Sequence, residues 1–281
     1  MNESQEKPIV VISWDGLSKP LNYIQFDAAL DFHLFIFDYS GQDHSSVLSE
    51  LTHTFYFCQK TECKGDLIQA VYKFLIDKNQ TAFPYIGLID DDILISVSDL
   101  NKILFIATVE KLDVFQASLT HDSYYHHRQF IHKSGYILQP TNWVEIMAPF
   151  YSNEVFFEAG KDFNRSISGT GIDVYLIPTI QVLLEKNNTV VVHAIQMKHC
   201  RPIRTDNRIF INGKDNLTEI KEIQDYCKSL VKLNPERFKP EFVNEVINRN
   251  YIYGIPLKHK LNRLPRLFSN LYRFLVDESY R

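Results

Sequence analysis

The sequence predicts an α/β fold with a mostly parallel central sheet flanked by helices, and three observations carry that prediction. Short β-branched or aromatic runs alternate with segments of helical spacing over residues 8–119, the pattern of strands laid side by side through helical crossovers. Two runs stop abruptly at acidic residues, Trp14-Asp15-Gly16 and Asp90-Asp91-Asp92; ligands in open α/β sheets sit beyond the carboxyl ends of strands, so both stops belong to one rim. The chain is 281 residues long and 45% hydrophobic, enough for a core that needs no disulfide or metal staple.

The elements follow in order. Residues 8–14 (PIVVISW) read as a strand closed by a turn at Asp15-Gly16. Residues 32–38 (FHLFIFD) and 53–58 (HTFYFC) are two more strands. Over 65–76, Leu67, Ile68, Val71, Tyr72, Leu75 and Ile76 recur at helix spacing. A fourth strand, 84–89 (PYIGLI), halts at the acidic triplet; a helix over 98–110 and a strand over 114–119 follow. Beyond a Tyr- and His-rich stretch, 121–132, a strand-like run spans 136–147, then a helix around 172–185 and a strand over 189–195. Residues 1–215 form one domain on this reading, and 216–281 a helical C-terminal appendage.

Thirty Lys and Arg against 34 Asp and Glu leave a net charge of −4, so no basic field points to a nucleic-acid partner. No apolar run approaches the ~18 residues of a membrane span. The polar, acidic start is unlike a signal peptide, and a cytoplasmic protein is expected. Cys58, Cys63, Cys200 and Cys227 form no CxxC pair and are expected to be buried free thiols.

Asp90 and Asp92, two apart at a strand end, should project to one side and Asp91 to the other. Paired carboxylates there suit Mg²⁺ or Mn²⁺, which complete their shell with substrate phosphates and water; a solvated acidic turn capping the next helix is the plainer reading. Residues 190–203 form a strand running into a loop in which His199 and Arg201 stand two apart. An imidazole can ligate a metal and a guanidinium can chelate phosphate, or both can be incidental surface groups.

Leu88-Ile89-Asp90-Asp91-Asp92, Asn142 to Pro149 (NWVEIMAP), Gly169-Thr170-Gly171-Ile172-Asp173 and His199-Cys200-Arg201-Pro202, in that order and spacing, resemble the GT-A glycosyltransferases. The likeness is to a plant and bacterial GT-A-like group long catalogued as of unknown function. It spans about residues 10–203, and the VEIMAP hexapeptide is its most specific piece. The chain departs from the group at Thr170, where Trp is usual, and at His193, where a carboxylate is usual. The resemblance implies transfer of a sugar from a nucleotide-sugar donor to a glycan or lipid-linked acceptor, as in making lipopolysaccharide or capsule. Asp90, Asp92 and His199 would hold the Mn²⁺ or Mg²⁺. Trp14, Asp15, Gly16, Lys64, Gly65, Asp90, Asp91 and Arg201 would contact the donor. Glu145 and Asp173 would lie near the acceptor, with Asp173 as general base if the reaction inverts the anomeric centre. A helix N-cap is the plainer role for Asp173, and a buried loop-holding carboxylate for Glu145.

In 256–281, six basic residues face two acidic ones, and Leu261, Leu264, Phe268, Leu271 and Leu275 make one helical stripe. Such a helix either lies peripherally on an anionic membrane or packs its stripe on the domain. Two other functions use similar sequence features: a non-catalytic nucleotide-sugar or glycan-binding module on the same fold, and a nucleotidyltransferase. The second is disfavoured because no Gly-rich phosphate loop follows the first strand.

Overall fold

Strand β1 (Ile9–Trp14) is buried at every residue, as its apolar run, interrupted only by Ser13, requires of a strand covered on both faces. The computed structural model describes residues 7–19, 21–49, 53–202 and 208–249; the amphipathic segment 256–281 lies outside them. After β1 come β2 (Ile24–Gln25), β3 (His33–Asp38), β4 (Phe55–Cys58), helix α1 (Lys64–Asp77), β5 (Tyr85–Ile89), β6 (Ile93–Ser96), α2 (Val97–Glu110) and β7 (Val114–Leu119). Then follow β8 (Leu138–Pro140), β9 (Phe150–Ser152), α3 (Asn153–Gly160), α4 (Ile177–Leu183), β10 (Thr189–His199) and α5 (Asn216–Leu233). The strands expected at 8–14, 32–38, 53–58, 84–89 and 114–119, and the helices at 65–76 and 98–110, are present to within a few residues.

The sheet runs β2-β6-β10-β7-β9-β5-β1-β3-β4, with β8 also on β10. It is mixed rather than mostly parallel. β1 pairs parallel with β3 and β5, and β10 with β7. β9, however, inserts antiparallel between β5 and β7, and β6 and β8 pair antiparallel with β10. Two of these antiparallel strands, β8 and β9, arise in or just after the segment expected as one strand over 136–147. Only Leu138–Pro140 pairs there as a strand, and its ladder ends where β10 begins, with the Thr141 amide on the Thr189 carbonyl (3.0 Å); the chain then enters the sheet as β9.

The helix expected at 172–185 opens with a π-helical turn, Ile172–Leu176, in which the amide of Leu176 reaches the Gly171 carbonyl at 3.1 Å. Pro178 in the following turn has no amide hydrogen to draw it into regular α geometry. Ser96 caps α2 through the Asp99 amide (3.0 Å), and Asp215 caps α5 through the Thr218 amide (2.8 Å). α5 packs against the π-helical turn. All four cysteines are free, but only Cys227 is buried; Cys58, Cys63 and Cys200 are half-buried. Among the described residues, no helix is long and apolar enough to cross a membrane.

Candidate active site

The acidic triplet leaves the end of β5 as a turn, closed by the Ile93 amide on the Asp90 carbonyl (3.1 Å). Three distant segments pin its backbone. The Asp91 amide donates to Ser13 Oγ of β1 (3.0 Å), the Asp90 amide to the Met147 carbonyl (3.0 Å), and the Cys200 amide to the Asp92 carbonyl (2.9 Å). A turn lacks strand alternation, so Asp91 and Asp92 share a partner instead of Asp90 and Asp92. Arg201 Nη2 meets Asp91 Oδ1 at 2.5 Å and its Nε meets Asp92 Oδ2 at 3.2 Å. Asp91 also accepts from the Tyr39 hydroxyl (2.9 Å). Asp90 turns away to pair with Lys64 Nζ at the start of α1. Burial, aided by Asp92 and Asp91 and opposed by Lys64, pushes the Asp90 carboxyl up to about 6.

His199 closes β10 with its Nδ1 2.9 Å from the Tyr124 carbonyl. A carbonyl only accepts, so Nδ1 carries a proton and Nε2 faces Asp92 Oδ2, 3.3 Å away. Burial disfavours the imidazolium, but the Asp92 carboxylate outweighs it and raises the His199 pKa. Burial likewise opposes the Asp92 charge, and His199 with Arg201 outweighs that to lower its pKa. Asp92 Oδ1 is buried and has no hydrogen-bond partner among the described residues. Among the described residues, no three His, Cys, Asp or Glu side chains converge as a metal cage. What they offer is a two-residue donor set, Asp92 and His199, with one orphaned hard oxygen. That fits an ion taking the rest of its shell from phosphate and water.

The Asp90–Met147 hydrogen bond ties the triplet to the loop carrying Glu145. The Glu145 amide donates to Oε1 of Gln116 (2.6 Å), a wholly buried residue of β7. The Oε2 of Glu145 is buried and has no hydrogen-bond partner among the described residues. Burial and the neighbouring Asp173 push the Glu145 carboxyl well above its usual range. Asp173, at the π-helical turn, is pushed up to about 7 by burial, against hydrogen bonds from the Val174 and Ile146 amides. Only 8% of Glu145 and 7% of Asp173 is exposed. The two carboxyls thus sit together, largely out of water, on segments that the Met147 carbonyl ties to the triplet's backbone.

The remaining expected contacts divide. Trp14 is buried, its indole donating to the Ser18 carbonyl at 2.9 Å and its ring edge-on to His44. Asp15 Oδ1 accepts from the Leu17 and Ser18 amides (3.0 and 2.8 Å), which shapes the turn. Gly16 holds φ +73°, and a Cβ there would strike His44. Gly65 abuts the 166–169 loop, where a Cβ would overlap the Ser166 carbonyl. Ser18, Lys19, Asn22 and Tyr23 line a small cleft together with Asp90 and Asp91. His193, by contrast, is engaged by the Lys133 amide (3.2 Å) and Gln139 Oε1 (3.0 Å).

Sequence reasoning missed Tyr39 and Gln116. Tyr39 directly follows the second expected strand, the position Asp15 holds after the first, and that was a usable signal. Gln116 lies inside an apolar strand, where a polar residue is itself a flag.

No family model and no curated protein matches the chain. Among solved structures, it is similar to residues 1–349 of TarS from S. aureus in complex with UDP-GlcNAc. That match has a TM-score of 0.54 and 11% identity, and covers 90% of this chain and 77% of that one. A second crystal structure of S. aureus TarS 1–349 matches at a TM-score of 0.52 and 9% identity, with the same coverage. The fold is GT-A-like. At such identities the likeness speaks for architecture alone.

Proposed function

We propose that this chain is a metal-dependent glycosyltransferase that moves a sugar from a nucleotide-sugar donor to a glycan or lipid-linked acceptor. One observation carries the reading: Asp92 and His199 meet side by side at the strand-end turn of a GT-A-like fold, with Asp92 Oδ1 buried and, among the described residues, unpartnered. Asp92 and His199 would hold Mn²⁺ or Mg²⁺, which supplies Lewis-acid neutralisation of the leaving diphosphate when bound. Lys64 and Arg201, now engaged with Asp90 and with Asp91 and Asp92, are the cations within reach of donor phosphates. Asp173, pushed up to about 7, is suited to taking the acceptor hydroxyl's proton near neutral pH. The neighbouring Glu145, its carboxyl pushed well above the usual range by burial and by Asp173, is its companion in the site.

The test is donor hydrolysis and transfer over a panel of nucleotide sugars with and without Mn²⁺. Turnover of at least one donor, dependent on the metal and lost in Asp92→Ala, is expected. Binding of a nucleotide sugar without any turnover would assign the non-catalytic module instead.

A further inference from the structure

Helix α5 sends one charged side chain wholly into the interior. Glu219 is 0% exposed, and among the described residues it meets no cation. Its carboxylate is instead spent on donors from a single loop and its neighbour. Oε2 accepts from Ser166 Oγ and from the Ser168 amide, each at 2.9 Å, and Oε1 from the Ile167 amide (2.9 Å) and Asn212 Nδ2 (2.8 Å). Burial opposes the charge, but these bonds outweigh it and hold the carboxyl below its usual range. A buried carboxylate saturated by amides fixes their positions more firmly than a neutral acceptor can.

The loop so held touches the site at two ends. Upstream, the Asp66 amide donates to the Ile167 carbonyl (3.1 Å), and Gly65 lies flush on Ser166 and Gly169; this sets the start of α1, from which Lys64 reaches Asp90. Downstream, the loop runs through Gly171 into the π-helical turn that carries Asp173. We infer that Glu219 is a positioning residue for the candidate active site, holding the 166–169 loop so that Lys64 and Asp173 keep their places. The inference rests on the reading of Asp173 and Lys64 as site residues, and it asks nothing about which sugar is moved.

Glu219→Gln in the full 281-residue chain is the test, because it keeps the size but turns an NH₂ toward backbone amides that need acceptors. The first readout needs no activity: titration of Asp173 by carbon-13 NMR of Asp-labelled protein, assigned with Asp173→Asn. Glu145 and Tyr151 are the titratable groups beside it. In the variant, Asp173 should titrate below the wild-type value as water reaches the loosened turn. The second readout is kinetic: kcat should fall about ten- to a hundredfold, the scale for a displaced catalytic group. Should Glu219→Gln fail to fold, Ser166→Ala is expected to move Asp173 in the same direction by less. A variant that melts lower but leaves Asp173 titrating as in wild type would reduce Glu219 to a structural anchor and overturn the inference. Wild-type chain that turns over no donor overturns the proposed function, while the Asp173 titration still decides the role of Glu219.

Discussion

At the scale of single residues, Asp173 makes function and stability pull in opposite directions. Unfolded, its carboxyl titrates near the ordinary 3.8; in the fold it is pushed up to about 7. A carboxyl raised by folding contributes most when protonated, so the fold loses stability as pH rises between those two values, by an amount on the order of a few kcal/mol. Glu145 shifts in the same direction and adds to the loss. Asp173→Asn should therefore melt higher than wild type at pH 8, with the gain vanishing by about pH 4. Its kcat should nonetheless fall by roughly 10²–10⁴, the usual worth of a general base. Thermal melts across pH beside steady-state kinetics check both halves; normal turnover would strike Asp173 from the site. The two histidines of β10 make a second contrast. His199→Ala removes the Nε2 facing Asp92 and should weaken Mn²⁺ affinity in calorimetry. His193→Ala removes bonds to Lys133 and Gln139 and ring contacts with His132 and Tyr136, none of them at the triplet, and should leave that affinity unchanged.

Secondary-structure elements show where sequence patterns were informative. β1, β3 and β5 were legible because each is a run of buried apolar residues ended by a polar stop. β9 was not: three residues following Pro149 are too short to display a period, and their placement between β5 and β7 is a purely tertiary outcome. In the site, the types of residue at the strand ends were legible, but their partners were not. That Arg201 bridges Asp91 and Asp92 while Asp90 goes to Lys64 follows from a turn whose shape is set by Ser13, Met147 and Cys200. None of these is near it in sequence, apart from chemistry that only a fold brings together. Helix α1 gives the prediction at this scale. Gly65→Ala inserts a methyl where the Ser166 carbonyl already stands, and backbone cannot rotate aside as a side chain can. It should cost about 1–3 kcal/mol, the range of core overpacking, although alanine favours helix. Denaturant unfolding that finds Gly65→Ala neutral would mean that α1 and the loop are not in contact.

For the chain over residues 7–247, the site is assembled by the strand order itself. β5, ending in the triplet, and β10, ending in His199, lie apart in the sheet with β9 and β7 between them, and β6 carries the chain directly from the triplet to the β10 edge. Stability should be graded accordingly. Amides of β1, β3, β5 and β7, whose side chains are buried nearly throughout, should exchange hydrogen only on global unfolding. Residues 15–19 and 25–31, with Leu17 85% and Phe26 49% exposed, should exchange through local opening. Hydrogen exchange read by mass spectrometry resolves the two classes, and uniform protection would contradict them.

The close packing of Gly65 on the 166–169 loop also bears on how this chain tolerates genetic variation. In a selection for inactive alleles, the acids and His199 are the obvious targets. Yet Gly65, Gly169 and Glu219 should be recovered with them, since Gly169 holds φ +85° with the Gly65 backbone close against it. Such alleles would be found without any one of those three residues lining the cleft. An allele map of this chain would consequently show a second cluster of sensitive positions, behind the rim of the sheet, tracing the Glu219-held loop as clearly as the acids trace the rim.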